Sequence, residues 1–291
     1  AEGRATRGRV TRVTACRAHN LHGGIDRAKR SGSHPHTRRH GRTPPSHLHR
    51  RTILATHLDR ARARPVLAAC AVALAVRVLY ALVGAWAGGP AGMPDYWGDA
   101  YHNWIVERLT LENGFVFTDY KGRELVWLPL FRYLAALVMG VTGADGLLPG
   151  RLVSLSAGVG AVGFTAAAAG RGGGAPRGAV LGGLLLALNP WHVAYSWMNM
   201  PEAVGTLWIA MAFWALAPAP DGEPAHAGEG RGRYAPAALV LAGTAGALTR
   251  NDVTSLLALT VAALLLVRRV RPALLLLGGL LVGLGVWSAW T

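Results

Sequence analysis

The run VLAACAVALAVRVLYALVGAWA, residues 66–87, carries a single charge, Arg77, over the ~20 residues that a helix needs to cross a ~30 Å hydrocarbon core. Comparable apolar runs occupy 151–170, 178–197, 203–219, 235–249, 253–267 and 272–290. Inside lipid a lone segment satisfies its backbone N–H and C=O groups internally only as a helix. Runs of this length and apolarity, with no strand-like alternation, specify helices. The expected fold class is therefore all-α, a polytopic helical membrane protein with about seven transmembrane helices.

Charge divides the chain near Arg64. The net charge of +15 is concentrated before that point, where sixteen Lys/Arg face three Asp/Glu and eight of the eleven His reside. The stretch RSGSHPHTRRHGRTPPSHLHRR mixes Arg, His, Pro and Ser without apolar periodicity and buries too little surface to offset its ordering entropy. Residues 1–64 are expected to form a disordered, basic, cytoplasmic tail, and 65–291 the membrane domain. Clustered Arg attracts phosphate, yet no aromatic platform or nucleic-acid-binding fold accompanies it, so nucleic acid is not an expected partner. Cys16 and Cys70 provide neither a disulfide framework nor zinc spacing. The start at Ala1 without Met and the stop within an apolar run read either as a fragment or as a reading frame extended upstream of its true start.

Loop charge sets the expected orientation. The segment WLPLFRYLAALVMGVTG (127–143) is apolar but short, with Pro129 and Arg132 near its start. If it lies in the interface without crossing, then RGGGAPR (171–177), DGEPAHAGEGRGR (221–233) and RRVR (268–271) all join the tail on the cytoplasmic side, as the positive-inside rule requires. Residues 88–149 then form a non-cytoplasmic loop with interfacial helices. Asp95, Asp99, Glu202, Arg250 and Asp252 collect on that same face.

Several of these residues sit where chemistry is plausible. The stretch GMPDYWGDAYHNWIVERLTLENG (92–114) carries three carboxylates in its first sixteen positions. Asp99 lies among Trp97, Tyr101 and Trp104, aromatic residues of the headgroup level, where partial desolvation suits a general base. Asp95 competes with it from a Pro-Asp turn. Glu202 follows Pro201 at the start of a span, where an acid also serves the helix dipole. Arg250, between Thr249 and Asn251-Asp252, reads as turn chemistry or an anion site. Arg77 is an intramembrane charge whose partner is expected to be a buried carboxylate or a lipid phosphate. Asp119, Glu124 and Asp145 read as solvated loop acids. GVGAVG (158–163) matches G-x-G-x-x-G but lacks the βαβ context of a dinucleotide site, and small residues at this spacing let membrane helices approach closely.

Five pieces in order, AVRVLYAL, GDAYHNWIVERLTLENG, LPLFRYLAALVMGVTG with LLPGRLVSLSAG, LLLALNPWHVAYSWMNMPEA and ALTRND, resemble the GT-C membrane glycosyltransferases, particularly those that use dolichyl- or polyprenyl-phosphate sugars to mannosylate proteins. The resemblance spans about Val66 to Thr291. It implies a multi-pass cell-membrane enzyme that transfers a hexose such as mannose from a polyprenyl-phosphate donor to an acceptor hydroxyl on a protein, glycan or lipid. The site would face the non-cytoplasmic side. By the same resemblance Asp99 is the base, followed by Tyr101 and His102 at the substrate, and Glu202 holds the acceptor or a divalent metal, the one cofactor considered. Arg250 with Asp252, aided by Arg77, Arg132 and Asp95, would attend the phosphosugar. The competing classes are a transporter and a non-catalytic membrane subunit.

Overall fold

A computed structural model describes residues 46–88, 98–114, 128–172, 176–218 and 229–290. Among them every regular element is an α-helix: α1 (Ser46–Gly88), α2 (Gly98–Glu112), α3 (Leu130–Thr142), α4 (Leu148–Gly172), α5 (Pro176–Ala187), α6 (Pro190–Tyr195), α7 (Glu202–Leu216), α8 (Glu229–Ala247), α9 (Asn251–Leu266) and α10 (Val270–Trp290). Three segments are long and apolar enough to cross a membrane, Ala63–Trp86, Leu148–Gly172 and Val270–Ala289. The other apolar helices are shorter. At ~1.5 Å per residue, the sixteen residues of α9 reach roughly 24 Å, less than the ~30 Å core.

Two expectations change in the structure. The tail was expected to run to Arg64, but α1 begins at Ser46 and continues unbroken through Pro65; good helix formers such as Ala61, Arg62 and Ala63 carry the helix across the charge boundary. The compact unit accordingly starts at Ser46, and residues 1–45 lie outside the described part. The span expected over 178–197 is interrupted. Pro190 has no N–H to donate to the α5 ladder, and the Asn189 side chain accepts from His192 N at 3.0 Å, capping a new short helix instead.

The core follows from small residues. Ala69, Ala73, Val162, Ala166 and Ala187 join α1, α4 and α5, whereas Leu239, Ala242, Leu257, Val261, Leu276 and Leu280 join α8, α9 and α10. Without a hydrophobic drive between helices in lipid, close backbone approach gives the dispersion contact. Gly279 shows this: a Cβ there would overlap Val240 O across the α8/α10 crossing, where Thr244 Oγ1 donates to Gly279 O at 3.0 Å. Gly158 of the GVGAVG run likewise has no room for a Cβ against Ser196, which fits the packing reading of that motif.

α7 defines two ends of the bundle. Its last turn receives Arg171 Nη1 on Trp214 O and Arg269 Nη1 on Leu216 O, each at 3.3 Å, so the basic connections after α4 and α9 gather there. Its first residue, Glu202, lies at the opposite end.

Candidate functional site

At that opposite end, Arg250 forms the centre of a three-residue cluster. The short turn after α8 leaves Arg250 extended ahead of α9, and its position is fixed by Thr249, whose hydroxyl accepts from Trp208 Nε1 of α7 at 3.0 Å. Gly205 leaves room for the Arg250 stem and for Val253. Arg250 Nη1 then donates to Glu202 Oε1, while Nε and Nη2 donate to the two oxygens of Asp252 at 2.9 and 3.1 Å. This is a fork on Asp252 with a third bond to Glu202, strong because donor and acceptors are charged. Three of the five guanidinium N–H groups are used.

The cluster's electrostatics are uneven. Burial pushes the Glu202 carboxyl up, opposed by Arg250, and its second oxygen, Oε2, is buried without a hydrogen-bond partner. The Arg250 bonds hold Asp252 below the usual carboxylate range. Two carboxyl groups share one guanidinium in this cluster.

Asp99 reaches the same rim through its helix. It occupies the first turn of α2, half-buried, and makes no hydrogen bond or ion pair among the described residues. The next residue, Ala100, accepts on its carbonyl from Asn199 Nδ2 at 3.1 Å, and Asn103 Nδ2 returns a bond to Asn199 O at 2.8 Å. Asn199 lies three residues before Glu202, so the Asp99 turn and the Glu202 turn are stitched at one end of the bundle. Tyr101 is exposed and His102 half-buried on α2. Asp95 lies outside the described residues, as do Asp119 and Glu124. Asp145 is exposed, accepting from Trp104 Nε1 at 2.8 Å, in keeping with a loop acid.

Two arginines expected at the phosphosugar have internal partners. Arg132 is 2% exposed; its Nη2 donates to Asn103 Oδ1 at 2.5 Å and its Nη1 to Leu128 O at 3.2 Å, which straps α3 to α2. Arg77 is fully buried in α1, with Nη1 on Ala73 O at 2.9 Å and on Ala187 O at 3.4 Å. Ala187 is the last residue of α5, whose carbonyls are released where Pro190 breaks the ladder and carry the negative end of the helix dipole. Its partners are carbonyls; among the described residues no carboxylate meets Arg77. Nor do the described residues hold any group of three His, Cys, Asp or Glu arranged for a metal, and both Asp252 oxygens are taken by Arg250.

Sequence reading assigned no role to Asn103, Glu107, Ser154 and Asn199, which form the buried polar layer beneath this rim. Glu107 Oε2 accepts from Asn199 Nδ2 at 3.3 Å, and Ser154 of α4 donates to Met200 O at 2.9 Å. The signal was present in α2, where Ala100, Asn103, Glu107 and Thr110 recur at spacings of three and four, a single helix face that is entirely buried. Polar residues on a buried stripe are there to bond to something.

No family model, curated protein or solved structure matches the chain.

Proposed function

We propose that this chain is a multi-pass, seven-span cell-membrane glycosyltransferase of the GT-C kind, with its site on the non-cytoplasmic rim. The single observation that carries the reading is the Asn199 carboxamide bonded to Ala100 O, which sets the Asp99 turn beside the turn that leads into the Glu202–Arg250–Asp252 cluster. The basic connections at the other end of α7 agree with a cytoplasmic placement under the positive-inside rule.

In this mechanism the polyprenyl chain stays in lipid while its phosphosugar enters the rim. Asp99 takes the proton of the acceptor hydroxyl, the acceptor oxygen attacks the anomeric carbon from the face opposite the phosphate, and the C1–O bond to phosphate breaks with inversion. The departing lipid phosphate carries away the bond's electron pair. Arg250 orients Glu202 toward the acceptor, and its two remaining N–H groups offer stabilisation to the developing charge on the phosphate oxygen.

The test is transfer of labelled mannose from polyprenyl-phosphate mannose by the full chain in lipid nanodiscs. Asp99→Asn should lower turnover by ~10²–10⁴-fold, the usual value of general-base help, without loss of folded protein. Undiminished transfer by a well-folded Asp99→Asn protein would remove Asp99 from the chemistry. One observation favours a second reading: a buried intramembrane arginine at a broken helix, Arg77 on Ala187 O, is also a transporter feature. Substrate uptake into vesicles that is unaffected by Asp99→Asn and abolished by Arg77→Met would favour transport.

A further inference from the structure

Glu107 is the one carboxylate fully enclosed among the described residues, with 0% exposure. A carboxyl group removed from water needs donors for its lone pairs or a proton on one oxygen. Glu107 has one long hydrogen bond, 3.3 Å from Asn199 Nδ2, and its Oε1 has no partner. Arg132 of α3 acts on it through space, but its guanidinium is committed to Asn103 Oδ1 and Leu128 O, and Glu107 makes no ion pair. The Asn199 amide nitrogen is shared between Glu107 Oε2 and Ala100 O, and its carboxamide is held in place by the bare backbone of Gly150 in α4.

We propose that Glu107 is a positioning residue, whose protonated carboxyl, enclosed with Asn199 against Gly150, seats α2 so that the Asp99 turn lies against the turn leading into the Glu202–Arg250–Asp252 cluster, and whose ionisation releases that seat. Only the link to Asp99's chemistry rests on the transferase reading; the seating of α2 does not. Burial pushes Glu107 up to about 8, against the Asn199 bond and the Arg132 charge, so the neutral form holds at pH 7. The charges around it are few. Arg132 comes from α3, and Asn199 and Met200 of the turn are neutral. α4 presents Gly150, Ser154 and the cation of Arg151, which lies over the Trp197 ring, to that turn, and on α2 the enclosed neighbours are Asn103 and Thr110, with His102 and Arg108 flanking them. Comparison with Glu107→Gln isolates the response of this carboxyl from that of its neighbours. The sign follows: a carboxyl whose folded value is raised contributes stability that is complete below its unfolded value of ~4.3 and is lost as pH rises through about 8.

The experiment is hydrogen exchange of peptides covering 98–112 in the full chain in nanodiscs, at pH 6.5 and 9.0, scaled to the intrinsic rate through peptides from 251–266. Wild type should lose about thirtyfold of its α2 protection between pH 6.5 and 9.0, the linkage factor for a carboxyl at ~4.3 when α2 is open and about 8 when it is seated. Glu107→Gln, which keeps the neutral amide-sized group, should stay protected at both pH values, and Glu107→Ala should be unprotected at both. An equal pH response in wild type and Glu107→Gln overturns the proposal, and so does Glu107→Ala protection equal to wild type at pH 6.5. Should Glu107→Ala fail to fold, Asn199→Ala takes its place, and retained α2 protection there overturns it equally. Mannose transfer measured in parallel should fall above pH 8 in wild type and hold in Glu107→Gln. If no variant transfers sugar the transferase reading fails, while the exchange profile still decides the role of Glu107.

Discussion

Substituting Gly150 by alanine tests the joint between α2, α4 and the Asn199 turn with one methyl group. A Cβ at this position would overlap both Oδ1 and Cγ of Asn199. That carboxamide cannot slide aside freely, since its nitrogen bridges Ala100 O at 3.1 Å and Glu107 Oε2 at 3.3 Å and its backbone carbonyl is held by Asn103 at 2.8 Å. Losing the two side-chain bonds costs ~0.5–1.5 kcal/mol each, and the overpacking costs ~1–3 kcal/mol. Alanine returns up to ~1 kcal/mol of helix propensity. The net is a destabilisation of about 3 kcal/mol, or roughly 6–12 °C in Tm at the ~2–4 °C per kcal/mol of a chain this size. The assay is thermal unfolding in detergent with Gly278→Ala as the reference, because a Cβ there meets nothing within 4 Å. A Tm for Gly150→Ala equal to that of Gly278→Ala would refute the close-contact reasoning and, with it, the seating of Asn199.

Arg250→Gln should leave Glu202 and Asp252 facing each other without their shared cation; with Arg250 and Glu202 side chains 30% and 22% exposed, the loss is roughly 2 kcal/mol, below that of a fully buried pair, and Arg250→Lys should recover less than half because it lacks the fork. Thermal unfolding of the three proteins checks this, and an unchanged Tm for Arg250→Gln contradicts it. Asp252, held below its ordinary value by the Arg250 bonds, contributes stability that is present above its unfolded value of ~3.9 and disappears as pH falls through the lower folded value. The Tm should therefore drop in the acid range below about pH 4, and Asp252→Asn should flatten that limb; an identical acid limb in both proteins would show that Asp252 is uncoupled from folding.

The all-helical class was legible from apolar run length alone, since lipid leaves a lone segment no other way to satisfy its backbone. The start of α7 was legible at Pro201, whereas the span expected over 178–197 ran across Pro190, where the structure breaks the helix. Arg250 and Asp252, two residues apart, could have been paired locally, but their bond to Glu202 spans 48 positions and exists because Gly205 and Trp208 of α7 bring that helix against α9 and the Thr249 turn. Arg132 and Arg77 show the limit from the other side: a charge beside an apolar run marks an expensive residue, while its partner, Asn103 or Ala187 O, is chosen by whichever helix packs across it.

What the sequence determined by itself was therefore periodic and local: helix, approximate length, the basic connections, and an acid in the first turns of α2 and α7. What the tertiary structure decided was pairing, above all that Asn199 inserts between Ala100 and Glu107 on the bare backbone of Gly150. The physical reason is that a buried polar group must find a partner within ~3 Å, and contacts at that range depend on how three separated segments pack together, which no pattern within one of them records.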